Sequence, residues 1–149
     1  MRKQAYVFIA LFAIIFFTSI PHADAQPTAN PTAIEQFRRS LEYLMIGDYY
    51  NTILTCNQVI RIDPNSAVYY VVRARAYYEM NSFDNAIADC NQALRIDRNN
   101  ATAYTIRGNS FSKQGNNTRA MQDWRSALNL NPGIEEARNN LDAASQQSN

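Results

Sequence analysis

Histidine is all but missing. The single one, His22, falls within the first 25 residues, a stretch that reads as removable. Beyond it the chain has no histidine triad, no imidazole base and no imidazole metal ligand. Glycine is sparse: Gly47, Gly108, Gly115 and Gly133 are scattered, so no glycine-rich loop cradles a phosphate. Lysine is scarcer still, with Lys113 alone beside eleven arginines after residue 25. Net charge is also lacking. Without Arg2, Lys3 and Asp24, twelve positive residues face twelve negative ones. A neutral chain is a poor match to the phosphate neutralisation that drives nucleic-acid binding. The carboxylates Asp48, Asp63, Asp84 and Asp97 are dispersed, at helix ends and turns where acids serve capping and the helix dipole. These absences point away from an enzyme and from any cofactor or metal site.

What is present begins with an export pattern. Met1 to Lys3 is a short positive start, Ala5 to Ile20 is a 16-residue run that is mostly apolar, and Ala23-Asp24-Ala25 has the small-x-small form of a cleavage site. The run falls short of the roughly 20 residues a spanning helix needs. Residues 1–25 therefore read as a signal peptide and the protein as periplasmic or secreted; if the segment is retained, it becomes a membrane tether. Residues 26–32, with Pro27 and Pro31, read as a flexible leader.

The rest is organised by a 34-residue period. With Ala33, Ala67 and Ala101 as first positions, residues 33–66, 67–100 and 101–134 align without insertion. Position 8 reads Ser40, Ala74, Gly108, and position 11 reads Tyr43, Tyr77, Phe111. Position 20 reads Thr52, Ala86, Ala120, position 28 reads Ile60, Leu94, Leu128, and position 32 reads Pro64, Arg98, Pro132. Within block two, Tyr70, Ala74 and Tyr77 share one helical face; Phe83, Ala86, Ile87, Cys90, Ala93 and Leu94 share another. Gly47-Asp48 and Met80-Asn81-Ser82 fall between helices, and proline closes blocks one and three. Ile134, Ala137, Leu141 and Ala144 form one more apolar stripe, which suits a capping helix. Residues 135–149 are thus read as that helix followed by a polar tail from Ser145.

Small at 8, aromatic at 11, small at 20 and 27, proline at 32: the blocks resemble tetratricopeptide (TPR) repeats over residues 33–134. The resemblance implies an all-α, right-handed solenoid of antiparallel helix pairs, seven helices in all. It also implies a function of binding another protein or a peptide on the concave face formed by the first helix of each pair. The peptide clamp of some such domains, which reads acidic chaperone tails, needs Lys and Asn at positions now held by Phe37 and Leu41. It then needs Asn at Val72 and basic residues at Thr102 and Ile106, so that clamp is absent.

The groove residues expected from the resemblance are Phe37, Arg38, Leu41, Met45, Val72, Arg75, Tyr78, Glu79 and Asn109. Ser112 and Lys113 occupy positions 12 and 13 of the third block. The groove runs from apolar to polar, and an exposed apolar stripe marks a partner site. The alternatives are self-association through the apolar first repeat, giving a homo-oligomer, and a membrane-tethered assembly factor. Cys56 and Cys90 share position 24. Equivalent points on stacked helices lie about 10 Å apart, too far for a disulfide, so both read as buried free thiols. Arg73 with Asp89 and Arg107 with Asp123 are expected to pair within repeats, while Arg39 faces Thr55 and lacks that partner. Asn100-Ala101-Thr102 and Asn116-Asn117-Thr118 satisfy the glycosylation sequon, which matters only in a eukaryotic secretory pathway, and are otherwise read as coincidental.

Overall fold

Two kinds of turn, each recurring in register, convert the period into a stack. The computed structural model describes residues 31–146; the expected signal peptide, most of the leader and residues 147–149 lie outside them. Position 15 holds Gly47, Asn81 and Gly115, and these are the residues with positive φ, at 78°, 57° and 78°. Each closes its helix in the same way. The amides of Asp48, Ser82 and Asn116 donate to the carbonyls of Tyr43, Tyr77 and Phe111, each at 2.8 Å, and so satisfy carbonyls the helix end leaves free. At position 31, the side chains of Asp63, Asp97 and Asn131 accept from the amide two residues on, at 3.1, 3.0 and 3.0 Å. This Asx turn sends the chain into the next repeat.

Between these turns run α1 (Pro31–Met45), α2 (Tyr49–Ile62), α3 (Ala67–Glu79), α4 (Phe83–Ile96), α5 (Ala101–Lys113), α6 (Asn117–Leu130) and α7 (Glu135–Gln146). Among the described residues the fold is all-α with seven helices and no strand. It is a right-handed solenoid of antiparallel pairs in which each helix packs on the next. The first helices α1, α3 and α5 also touch in sequence. Helix α1 opens at Pro31, inside the stretch expected to be leader, because a proline at the first helical position gives up an N–H that has no partner there anyway. Helix α7 runs past the expected start of the tail. Ser145 is helical there, and its hydroxyl donates to the Leu141 carbonyl at 2.8 Å.

Asp48, Asn100 and Asn116 cap α2, α5 and α6, accepting from the amides of Asn51, Ala103 and Arg119. The two sequon asparagines are therefore helix caps. The core follows the stack: Tyr70, Ala74, Cys90, Ala93, Leu94, Ala103 and Ile106 in the middle, and Ala120, Trp124, Ala127 and Ala137 towards α7.

The conserved geometry of position 15 gives a clean test of backbone cost. A Cβ added at Gly115 meets nothing within 4 Å, so Gly115→Ala reports the left-handed conformation alone. It is expected to lower unfolding free energy by about 1–2 kcal/mol, read by urea titration.

Cys56 and Cys90 are free and buried. Burial pushes the Cys56 thiol up to about 11 and the Cys90 thiol up further. At pH 8 native Cys56 therefore presents about a hundredfold less thiolate than an ordinary cysteine. Thiol labelling at that pH is expected to wait on unfolding and to become complete for both cysteines in denaturant.

Candidate functional site at the concave face

The concave face has two unlike ends. On α1, Ile34, Leu41 and Met45 lie open to solvent, Met45 by 78 %. Their spacing of seven and four residues puts them on one stripe. Phe37, one turn away, turns inward: its ring stands 4.9 Å from that of Tyr69 at 61° and packs with Ala33 and Val59. Val72 is buried as well. Of the expected groove residues, Phe37 and Val72 are thus packed into the stack, whereas Leu41 and Met45 stay exposed.

Both expected arginine anchors are engaged within the chain. Arg38 donates to Glu35 at 2.6 Å and also pairs with Glu42. Arg75 lies 3.8 Å from Glu79 and 3.4 Å from Glu136 of the capping helix. Glu79 thus acts as a partner of Arg75 on the same helix face.

Asn109 is the centre of the other end. It is buried, and every polar atom of its amide has work. Its oxygen accepts from Trp124 Nε1 and from Asn140 Nδ2, each at 2.8 Å, and its Nδ2 donates to Glu136 at 2.8 Å. One side chain therefore ties α5 to α6 and α7. Tyr78 stands at the edge of this cluster, its ring 5.8 Å from Phe83. Burial, with the nearby negative charge of Glu136, raises its hydroxyl above the usual tyrosine range.

Tyr78, Asn109, Ser112 and Lys113 form one side of a cavity of about 430 Å³; Asn117, Trp124 and three α7 residues, Asn140, Ala143 and Ala144, form the other. The wall carries one positive charge and no carboxylate. The Tyr78 and Ser112 hydroxyls, the Lys113 ammonium and the Asn117 amide make no hydrogen bond or ion pair among the described residues. Arg75, Tyr78, Glu79 and Asn109 thus converge at this end, whereas Arg38, Leu41 and Met45 lie at the other. Ser112 and Lys113 were visible at groove positions 12 and 13; the contributions of Asn117, Trp124, Glu136 and Asn140 were not.

Away from the groove, two arginines join an ion pair within a repeat to a hydrogen bond across the repeat boundary. Arg73 meets Asp89 through Nε and Nη2 at 2.7 and 2.6 Å, and donates from Nη1 to Asn57 of the preceding repeat at 2.6 Å. Arg107 repeats the pattern with Asp123, at 2.8 and 2.7 Å, and with Asn91, at 2.7 Å. Both expected pairs are present, and asparagine at position 25 extends each across a repeat boundary. Arg39 lies instead 3.6 Å from Glu35. Among the described residues no three His, Cys, Asp or Glu side chains gather as a metal would require. No helix there is long and apolar enough to cross a membrane.

A family model described as TPR repeat matches residues 74–115. No relative was found among curated proteins. Among solved structures, the first TPR domain of human RPAP3 is 30% identical, with a TM-score of 0.74 over 77% of this chain and 91% of that one. The first TPR of Spaghetti (RPAP3), bound to an HSP90 peptide, is 29% identical, with a TM-score of 0.75 over 78% and 92%. The second TPR domain of human RPAP3, in complex with an HSP70 peptide, is 28% identical, with a TM-score of 0.72 over 76% and 95%.

Proposed function

Because this chain belongs to the tetratricopeptide-repeat family, we propose that it is a protein-interaction adaptor. It holds a segment of a partner on the concave face of α1, α3 and α5 and carries out no reaction of its own. The observation that carries this reading is the open face itself, with Ile34, Leu41 and Met45 exposed at one end and a polar cavity at the other. Stripes of that kind are normally covered by a partner. Two neighbours hold chaperone peptides, which supports a peptide ligand as a class. The chaperone sequence is not carried over, since Phe37, Val72 and Ile106 occupy three of the clamp positions and are packed inward.

The proposed place of action is outside the cytoplasm. The support is the charged start, apolar run and Ala23-Asp24-Ala25 of the first 25 residues. N-terminal sequencing of the native protein is expected to begin at Gln26; an intact Met1 would favour the tethered form.

A photo-crosslinking residue at position 41 tests the adaptor reading, beside one at Gln58, which is exposed on α2. Adducts with a different protein from position 41 and none from position 58 are expected. Adducts only from position 58 would remove the concave face from the interaction. Adducts joining two copies through position 41 would favour self-association. That second reading draws on the exposure of Met45 (78 %), Ile46 (76 %) and Tyr50 (64 %) at the edge of the first repeat.

A further inference from the structure

We propose that the cavity between α5, α6 and α7 is a subsite for an acidic side chain, an Asp or Glu in the interior of the bound segment. The inference rests on the peptide-binding reading and specifies what that peptide must carry. Three observations converge on it.

The first is charge. The concave face presents three cations, and two are already neutralised: Arg38 by Glu35 and Glu42, Arg75 by Glu79 and Glu136. Lys113 forms no ion pair among the described residues and stands on a wall without a carboxylate. Lys113 is itself exposed on that wall, and an unpaired positive charge beside a concave surface draws an anion toward it.

The second is unspent hydrogen bonding. The Tyr78 and Ser112 hydroxyls and the Asn117 side-chain amide line the same space with no hydrogen-bond partner among the described residues. A carboxylate has several acceptor sites and accepts from hydroxyl, amide and ammonium together. An aliphatic side chain in that place would strip these groups of water and return nothing.

The third is Glu136. The chain has already brought one carboxylate to the rim, where Asn109 donates to it at 2.8 Å and Arg75 faces it at 3.4 Å. Glu136 therefore uses the Asn109 and Arg75 donors of the rim, Arg75 being shared with Glu79. The donors of the cavity remain for a second, incoming acid. Trp124 completes the wall. Its indole N–H is committed to Asn109 and its ring is almost wholly buried, so it backs the cavity without a free donor.

The test is a random peptide library, fused at both ends so that no free terminus competes, selected on the wild type and on Lys113→Gln. Enrichment of Asp or Glu at one fixed position with the wild type, and its loss with Lys113→Gln, is the expected result. Replacing that acid by its amide should then weaken wild-type binding about tenfold and leave binding to Lys113→Gln within about twofold. Trp124 is the only tryptophan, so its emission should shift with the acidic peptide and much less with the amide. Peptides enriched without a fixed acid, or a fixed acid that Lys113→Gln still selects, would overturn the subsite and leave the adaptor reading standing. No enriched peptide on a wild type that melts cooperatively would overturn both.

Discussion

Asp89→Ala is expected to lose about 3–5 kcal/mol of unfolding free energy, the range seen when one partner of a buried ion pair is removed. The Asp89 side chain is 9% exposed and that of Arg73 18%, and the carboxylate accepts both Nε and Nη2 of the guanidinium. Its removal leaves a desolvated charge with Asn57 as its remaining acceptor. The loss should exceed the value of the pair itself, because most of it is the uncompensated charge. A double variant, Arg73→Met with Asp89→Leu, should therefore recover much of the stability. Asp142→Ala, at an exposed position, should stay within about 0.5 kcal/mol. Urea titration reads all three. An Asp89→Ala loss below about 1 kcal/mol, as for a surface pair, would show that the guanidinium keeps its water.

Trp124→Ala is the second large effect, at about 3–5 kcal/mol for truncating a buried aromatic. Trp124 is 3% exposed and lies among Ala120, Ala127 and Ala137. Positions 8 and 24 face one another across each repeat and share a volume. Gly108 faces Trp124, where the other repeats set Ala74 with Cys90 and Ser40 with Cys56. A Cβ on Gly108 would stand 2.8 Å from Trp124 Nε1, so Gly108 cannot gain a side chain while Trp124 keeps its place. Trp124→Cys with Gly108→Ala should accordingly be more stable than Trp124→Cys by itself, since the methyl fills part of the cavity. Trp124→Phe should lose about 1–2 kcal/mol, mainly by withdrawing a hydrogen bond from buried Asn109. Equal stability of Trp124→Ala and the parent in a thermal melt would show that this end of the stack is loosely packed.

The periodicity of Ala33, Ala67 and Ala101 made the helix pairs legible, and the resemblance to TPR repeats, in which position 7 faces the second helix of its own pair, made the Arg73 and Arg107 pairs legible with them. Part of the site was equally within reach. Glu35, Glu42 and Glu79 stand three or four residues from Arg38 and Arg75, helical spacings that bring opposite charges together, so the engagement of both arginines was open to inference. The cavity was not. Glu136 and Asn140 reach α5 only through the angle at which α7 docks, across 27 and 31 residues, and no local pattern specifies that angle. Nor could spacing tell Phe37 and Leu41 apart. One faces Tyr69 and the other faces solvent because of what the second repeat places beside them.

The arginine contacts between Asn57 and Asp89 and between Asn91 and Asp123 also set an order of opening. Each locks three helices at once, and α7 is locked by Asn109. Among the described residues helix α1 has no equivalent; its Arg39 reaches only as far as Glu35 on its own surface. In a stack whose stability is a sum over repeats and their interfaces, the free energy of local opening is then lowest at α1 and rises toward α5 and α6. The apolar stripe offered to a partner thus lies on the part of the molecule that detaches most readily. Occupancy there would hold the first repeat closed, so that a bound segment and the stability of the N-terminal helices rise and fall together.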